Sequence, residues 1–347
     1  MKKLIIFLII LYSNVSVVLA LEDFEVDSVT QAVWQEAVIS VTNLDRSAKF
    51  FIDIGGYDIK WRGPLSANNI SQWGLPDQAS GEALLLGPST YRDSFVRLVR
   101  FDAAGKRIPM RPGSRAWDTG CYFSLMVRMK DISSIYDDAI KMGWWTETPI
   151  VDLEFGISKL KVTIFRGPDG IQVQGYERLS PPLPETIPDF KRFAGPFNVM
   201  QIVKDRDKSY EFFTQVLGFE TFYKGKPYTA KIPTHTPLGI PINLTTSVPY
   251  QAGIVYPRAG EFGRMEMIEM MGLVGRDYSH QCHAPNLGIL SVRYPVESAE
   301  QAKILIQDRG WQITNDIQIL SLPPYGNVKT FSVTTPDGSI IEFIEMI

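Results

Sequence analysis

The chain has 347 residues, 45% of them hydrophobic and 21% charged, with a formal charge of −3. That length is enough for two domains with separate cores, and the composition is that of an ordinary globular protein. The slightly negative balance excludes a field built for nucleic acid or an anionic membrane surface, so neither is expected as a partner.

In chain order, Lys2 and Lys3 precede the apolar run 4–11, and Val18-Leu19-Ala20 closes a short polar stretch. Residues 1–20 therefore read as a cleaved secretory signal. The run is broken at Tyr12-Ser13-Asn14 and is short for a membrane span. Cleavage would remove two lysines and no acid, taking the charge from −3 to −5. The mature chain is expected in the periplasm or outside the cell, with no membrane association. Export permits disulfides, and the two cysteines, Cys121 and Cys282, could be bridged or remain separate thiols.

Residues 35–41 are apolar and β-branched, which predicts a strand. A helix follows from Leu44, with Asp45 or Ser47 expected to cap its first turn and Gly55-Gly56 to end it. Strands are expected over 57–61, 82–86 and 94–101, with a loop over 62–80. A second unit reads as strand 123–129, helix 133–141, strands 146–155 and 160–165, a turn at Gly167-Pro168-Asp169-Gly170, and strand 171–176. Residues 179–189, LSPPLPETIPD, hold four prolines in eleven positions and read as a linker.

The chain then repeats itself. Residues 41–57, VTNLDRSAKFFIDIGGY, align without a gap with 203–219, VKDRDKSYEFFTQVLGF, at an offset of 162. SLMVRMKD at 124–131 aligns with SVRYPVES at 291–298, and Gly143-Trp144 with Gly310-Trp311, at an offset of 167. Four strand–helix–strands units result, and two such units must face each other to bury their apolar faces.

These motifs resemble the vicinal oxygen chelate superfamily, the glyoxalase, bleomycin-resistance and extradiol dioxygenase group. Val203, Asp205, Ser209, Phe212, Phe213, Leu217, Gly218 and Phe219 match the opening of its βαβββ module, and 335–343, TPDGSIIEF, match its close. The resemblance implies an α+β fold: two tandem glyoxalase-like domains, each from paired βαβββ modules. Domain 1 would cover 33–178 (modules 1 and 2) and domain 2 191–347 (modules 3 and 4), with a linker at 179–190. The alternative pairs module 1 with 4 and module 2 with 3. The family's site lies inside the cup of a module pair, often with a divalent metal held by one ligand from the first strand and one from the last strand of each module.

Carried onto this chain, those positions are Glu36 and Arg97 in module 1, Ser124 and Gln174 in module 2, Asn198 and Glu266 in module 3, and Ser291 and Glu342 in module 4. No first-strand position is a histidine. His235, His280 and His283 fall elsewhere, which disfavours an Fe(II) oxygenase. His280 and His283, in Ser-His-Gln-Cys-His, read as loop residues, with a metal cluster as the alternative. Glu36, Arg97, Ser124 and Gln174 are expected to bind substrate, Arg97 pairing with Glu36 or clamping a carboxylate. Asn198, Glu266, Ser291 and Glu342 form an oxygen-only set that suits Mg, Mn or Ca better than Zn or Fe. Glu266 and Glu342 could equally act without metal, as acid and base. The expected function is a lyase or isomerase acting on a small carbonyl or hydroxy compound. The alternative is a non-catalytic protein that sequesters a small-molecule ligand. Oligomerisation is left open.

Overall fold

The computed structural model describes residues 26–113 and 115–347, so the expected signal segment lies outside the described residues. Module 1 comprises β1 (Glu36–Ser40), α1 (Leu44–Lys49), β2 (Asp58–Pro64), α2 (Ala67–Gln72), β3 (Ser80–Gly87) and β4 (Phe95–Asp102). Module 2 comprises β5 (Tyr122–Met129), α3 (Ile132–Lys141), β6 (Val151–Phe155), β7 (Ser158–Arg166) and β8 (Gln172–Ser180). Module 3 follows with β9 (Phe193–Ile202), α4 (Arg206–Glu211), β10 (Glu220–Lys224), β11 (Tyr250–Tyr256) and β12 (Arg264–Met270). Module 4 closes the chain with β13 (Gly288–Pro295), α5 (Ala299–Asp308), β14 (Asn315–Ser321), β15 (Asn327–Thr334) and β16 (Ile340–Met346).

The strands form two eight-stranded sheets, ordered β14-β15-β16-β13-β1-β4-β3-β2 and β10-β11-β12-β9-β5-β8-β7-β6. The α+β reading in paired βαβββ modules holds, but the paired modules are not consecutive. Module 1 shares its sheet with module 4 through antiparallel β1 and β13, and module 2 with module 3 through β5 and β9. The proline-rich segment therefore does not separate two cups. It joins β8 to β9 within one sheet, and its Ile187 and Phe190 are buried against Leu85, Tyr91 and Phe95.

Strand alternation explains how each sheet has two apolar faces. In β1, Ala37 and Ile39 enter the main core while Val38 faces the cup. That main core lies between the convex faces of both sheets and holds the buried sides of α1, α3, α4 and α5. Consecutive modules meet here. Phe50 stacks on Trp144 with ring centroids 3.8 Å apart, and its repeat Phe212 packs on Trp311 at 4.6 Å.

The repeated opening stretch works at the same junction. Asp169 accepts from the Thr42 amide (2.9 Å), and Asp337 accepts from the Lys204 amide (2.9 Å) and the Ser209 hydroxyl (2.5 Å). The closing turn of each even module thus satisfies the strand-to-helix corner of the module before it. The helix caps differ from expectation. Asn43 accepts from the Arg46 amide and Asp205 from the Lys208 amide, while Asp45 pairs with Arg62 and Ser47 is buried. Each cap sits one position before the helix, where its side chain can turn back to a free N–H. A π-helical turn continues each helix, Phe50–Ile54 after α1 and Phe212–Val216 after α4, and Gly56 (φ +75°) and Gly218 (φ +68°) then end these runs in the left-handed region.

The segment 62–80 is not simply a loop: Ser66 caps α2 in it, and α2 docks on β14. Cys121 and Cys282 form a disulfide, joining the approach to β5 with the approach to β13. No helix among the described residues is long and apolar enough to cross a membrane.

Candidate functional site

The eight carried-over positions fall into two equivalent quartets, one per cup. Glu36, Arg97, Ser291 and Glu342 line the cup of modules 1 and 4. Asn198, Glu266, Ser124 and Gln174 line that of modules 2 and 3. The registers match: Val38 pairs with Arg97 as Met200 pairs with Glu266. The expected metal set of Asn198, Glu266, Ser291 and Glu342 is therefore divided between two sheets, and so is the expected substrate set. Glu266 and Glu342 belong to different cups, so they do not form an acid–base pair on one substrate.

In the first cup the polar positions are locked to one another. Glu36 receives Arg97 Nε and Nη2 (2.7 and 2.9 Å), Arg293 Nη1 (2.6 Å) and the Tyr325 hydroxyl (3.0 Å). Arg293 Nε donates to Glu342 (2.8 Å), which also accepts from Ser291 (2.5 Å) and Trp73 Nε1 (3.3 Å). The four charged side chains are at most 1% exposed. Burial alone would raise the Glu36 carboxyl, but the guanidiniums of Arg97 and Arg293 more than offset this and hold it below its usual range. The Arg293 guanidinium bridges the carboxylates of two modules, as a shared cation would. Trp61 and Tyr325 flank Arg97, and Trp73, just after α2, flanks Arg293. A divalent metal does not fit this cup, because two permanent positive charges already neutralise its two carboxylates.

Sequence reasoning missed Arg293. Its signal was alternation: it lies two residues after Ser291 on one strand, hence on the same face. The equivalent position in the repeat, Met126, is apolar and masked it.

The second cup differs in character. Asn198 Nδ2 donates to Glu266 (2.9 Å), while Asn198 Oδ1 is buried without a partner. Ser124 donates to Gln174 (3.4 Å), whose amide donates to the Tyr176 hydroxyl (2.8 Å). Around them lie Phe123, Met126, Ile164, Phe197, Met200 and Ile268. Burial pushes the Glu266 carboxyl up to about 7, and the Asn198 hydrogen bond and distant Arg264 charge only partly oppose it. A divalent ion fits poorly here too. The set has one carboxylate that resists ionisation, two amides and a hydroxyl, where hard cations take several anionic oxygens. What the arrangement offers is a protonatable carboxyl and an unpaired amide oxygen on an apolar, aromatic concave wall. A cavity of about 310 Å³ lies at the Ile202 and Met270 ends of β9 and β12, lined also by Trp117, Lys204 and Asp277.

His280 and His283 sit in the loop before β13, and the disulfide removes Cys282 as a thiolate ligand. No cluster of three metal-ligating side chains occurs among the described residues.

Comparison with solved structures identifies the architecture. The chain is similar to glyoxalase I from Zea mays, with a TM-score of 0.59 at 15% identity, covering 90% of this chain and 92% of that one. It is also similar to a putative dioxygenase from Bacillus subtilis, with a TM-score of 0.52 at 11% identity, covering 91% and 85%. No family model matches the sequence, and no curated protein matches it.

Proposed function

The chain has the vicinal oxygen chelate fold in its four-module form, and on that premise we propose that it is an exported, metal-independent protein that binds a small apolar molecule in the cup of modules 2 and 3. One observation carries this reading: Glu266 and Asn198 are the polar anchors of a largely apolar wall, whereas the equivalent groups of the other cup are consumed in ion pairs. Clefts that recognise small molecules have this make-up, with apolar lining and few convergent polar groups. A protonated Glu266 donates a hydrogen bond and the free Asn198 oxygen accepts one, which suits a ligand carrying a hydroxyl or carbonyl. The first cup serves as internal closure. Export is supported by the character of residues 1–20 and by the disulfide, which persists in an oxidising compartment.

The test is titration of the mature protein with 2-naphthalenemethanol, a neutral apolar probe with one hydroxyl. The expected result is saturable 1:1 binding, unchanged by Mg, Mn, Ca, Zn or Fe(II) and weakened at least about tenfold by Glu266→Leu, the equivalent of one good hydrogen bond to a buried group. Absence of binding, or binding that Glu266→Leu leaves intact, overturns the reading. A stoichiometric metal lost on Glu266→Gln overturns its metal independence. A second reading, isomerisation by a single base, draws on the Glu266 carboxyl being pushed to about 7, where general bases work well. Exchange of the α-proton of a bound ketone into deuterated water, abolished by Glu266→Gln, distinguishes catalysis from sequestration.

A further inference from the structure

Two residues before Glu266 on the same face of β12 lies Arg264, and Arg128 faces it from β5. Both are at least nine-tenths buried. Arg178, on β8, follows Gln174 and Tyr176 at the same alternation and lies close enough for its charge to act on both. Two guanidiniums thus lie together at one end of the second cup, with the half-buried Arg178 adding its charge nearby. The carboxylate that pairs with Arg128 and lies beside Arg264 is Glu261, from the 257–263 turn between β11 and β12. Arg128 Nη2 donates to Glu261 Oε2 (2.5 Å) and to its carbonyl (3.0 Å), and Arg264 Nη2 lies 3.7 Å from Oε2.

Arg264 Nη2 also donates to the Gly260 carbonyl (2.7 Å), yet the cluster keeps unused donors. Arg128 Nη1 and Arg264 Nε are buried without a hydrogen-bond partner. Burial, with mutual repulsion added, lowers both guanidiniums, that of Arg128 to about 10. Burying an arginine with a donor left over is costly, and Arg293 Nη2 in the first cup shares the condition, so what sets this pair apart is its place beside a partly exposed turn. Aromatic rings hold the groups in place: Phe197 lies 4.1 Å and Phe262 5.2 Å from Arg128, and Phe222 lies 3.9 Å from Arg264. Stacking on a ring leaves the edge of the guanidinium free to fork onto a planar acceptor.

We propose that Arg128, Arg178 and Arg264 form a carboxylate-binding subsite, so that the second cup takes a small aromatic or apolar carboxylic acid, and that Glu261 occupies the subsite in the ligand's absence. The inference rests on the reading of that cup as a small-molecule site. It gives the cup a polarity along the strands. The acid group sits at the Arg264 end, and Glu266 stands about 7 Å further along, at two residues of strand rise. The apolar body extends past Met200 and Ile268 toward the cavity at Ile202 and Met270. Carboxylate is favoured over phosphate because the group already seated there is a carboxylate. Binding exchanges one carboxylate for another, so the arginines stay paired while the 257–263 turn swings out.

The experiment compares 2-naphthoate with 2-naphthalenemethanol, titrated into the mature wild-type protein, Glu261→Gln and Arg128→Gln. Glu261→Gln removes the internal competitor at a partly exposed turn and should tighten 2-naphthoate about tenfold or more while leaving the alcohol unchanged. Arg128→Gln should weaken 2-naphthoate by at least a similar factor with little effect on the alcohol. Should Arg128→Gln not fold, Arg178→Gln, on a half-buried residue, takes its place with the same expectation. If the alcohol binds but the acid gains nothing from Glu261→Gln, the carboxylate subsite is refuted and the small-molecule reading stands. If neither probe binds wild type or Glu261→Gln, both fall. Stronger binding of inorganic phosphate than of 2-naphthoate to Glu261→Gln would refute the assignment to carboxylic acids.

Discussion

Glu36→Gln tests whether the first cup is held by its charges. Glu36 is completely buried and accepts four hydrogen bonds, three of them from Arg97 and Arg293. The substitution preserves shape and removes the charge. It leaves two guanidiniums and one carboxylate where the wild type balances two against two. Breaking a buried pair in this way costs about 3–5 kcal/mol, because the stranded charge has no water to turn to. At roughly 2–3 °C per kcal/mol for a chain of this size, the melting temperature should fall by about 6–15 °C. Thermal melts followed by near-ultraviolet circular dichroism at pH 7 measure it. The pH dependence has a definite sign. Folding depresses the Glu36 carboxyl below its ordinary 4.5, so its contribution is complete above that value and is lost as pH falls toward the folded one. The gap between wild type and Glu36→Gln should therefore narrow on acidification below about pH 4.5. A quadruple variant, Glu36→Leu/Arg97→Met/Arg293→Met/Glu342→Leu, should lie within about 2 kcal/mol of wild type, since replacing a whole buried ion network by apolar groups is near neutral. A Glu36→Gln loss under about 1 kcal/mol, the size of an exposed pair, would refute the reasoning.

Glu266→Gln should show the opposite pH trend. Folding raises this carboxyl to about 7, so wild type loses stability as pH climbs from about 4.5 to 7, and the variant should gain about 3 kcal/mol on it between pH 4 and pH 8, read from urea midpoints. Trp144→Ala removes a buried ring stacked on Phe50 and should cost about 3–5 kcal/mol, whereas Trp311→Ala, at the more open equivalent junction, should cost less in the same assay. Cys121→Ala/Cys282→Ala opens a link across a sequence separation of 161 and should cost about 5 kcal/mol by chain entropy, with reduction of the wild type by dithiothreitol giving a matching loss.

The four modules were legible because their patterning is local. The strand periods, the Gly55-Gly56 and Pro-Asp-Gly stops and the two internal alignments each reflect backbone needs that neighbouring residues express. Which modules share a sheet was not legible. Exchanging the partner across β1 leaves the alternation of Ala37, Val38 and Ile39 unchanged, so both pairings satisfy the same pattern. The prolines at 181, 182, 184 and 188 marked a break in secondary structure correctly, but a break says nothing about which sheet the next strand joins. The eight site positions were found by counting along strands, and each does face a cup. Their meaning was not, because it depends on residues brought from elsewhere. Arg293 turns the Glu36 and Glu342 positions into ion pairs, and Trp73 arrives with α2 from a segment that reads as loop. Arg128, Arg178, Glu261 and Arg264 come from three strands and a turn, a constellation that no spacing in the sequence announces.

The interleaved pairing has a consequence for any attempt to divide the molecule. A chain cut within 181–192 would leave its first half with β1 and β5 as open edges, each stripped of the antiparallel neighbour it has in β13 or β9. Unpaired edges of that length invite another chain. Two first halves would pair β1 with β1 or β5 with β5 and assemble into dimers or longer chains, while adding the second half would restore both cups in a one-to-one complex. The disulfide, which ties one half to the other across this cut, would hold that complex together even when the sheets are loosened. During synthesis the same geometry means that the cup of modules 2 and 3 cannot close until the third module has been made, and that of modules 1 and 4 until the fourth, so the nascent first half must be kept from its own kind.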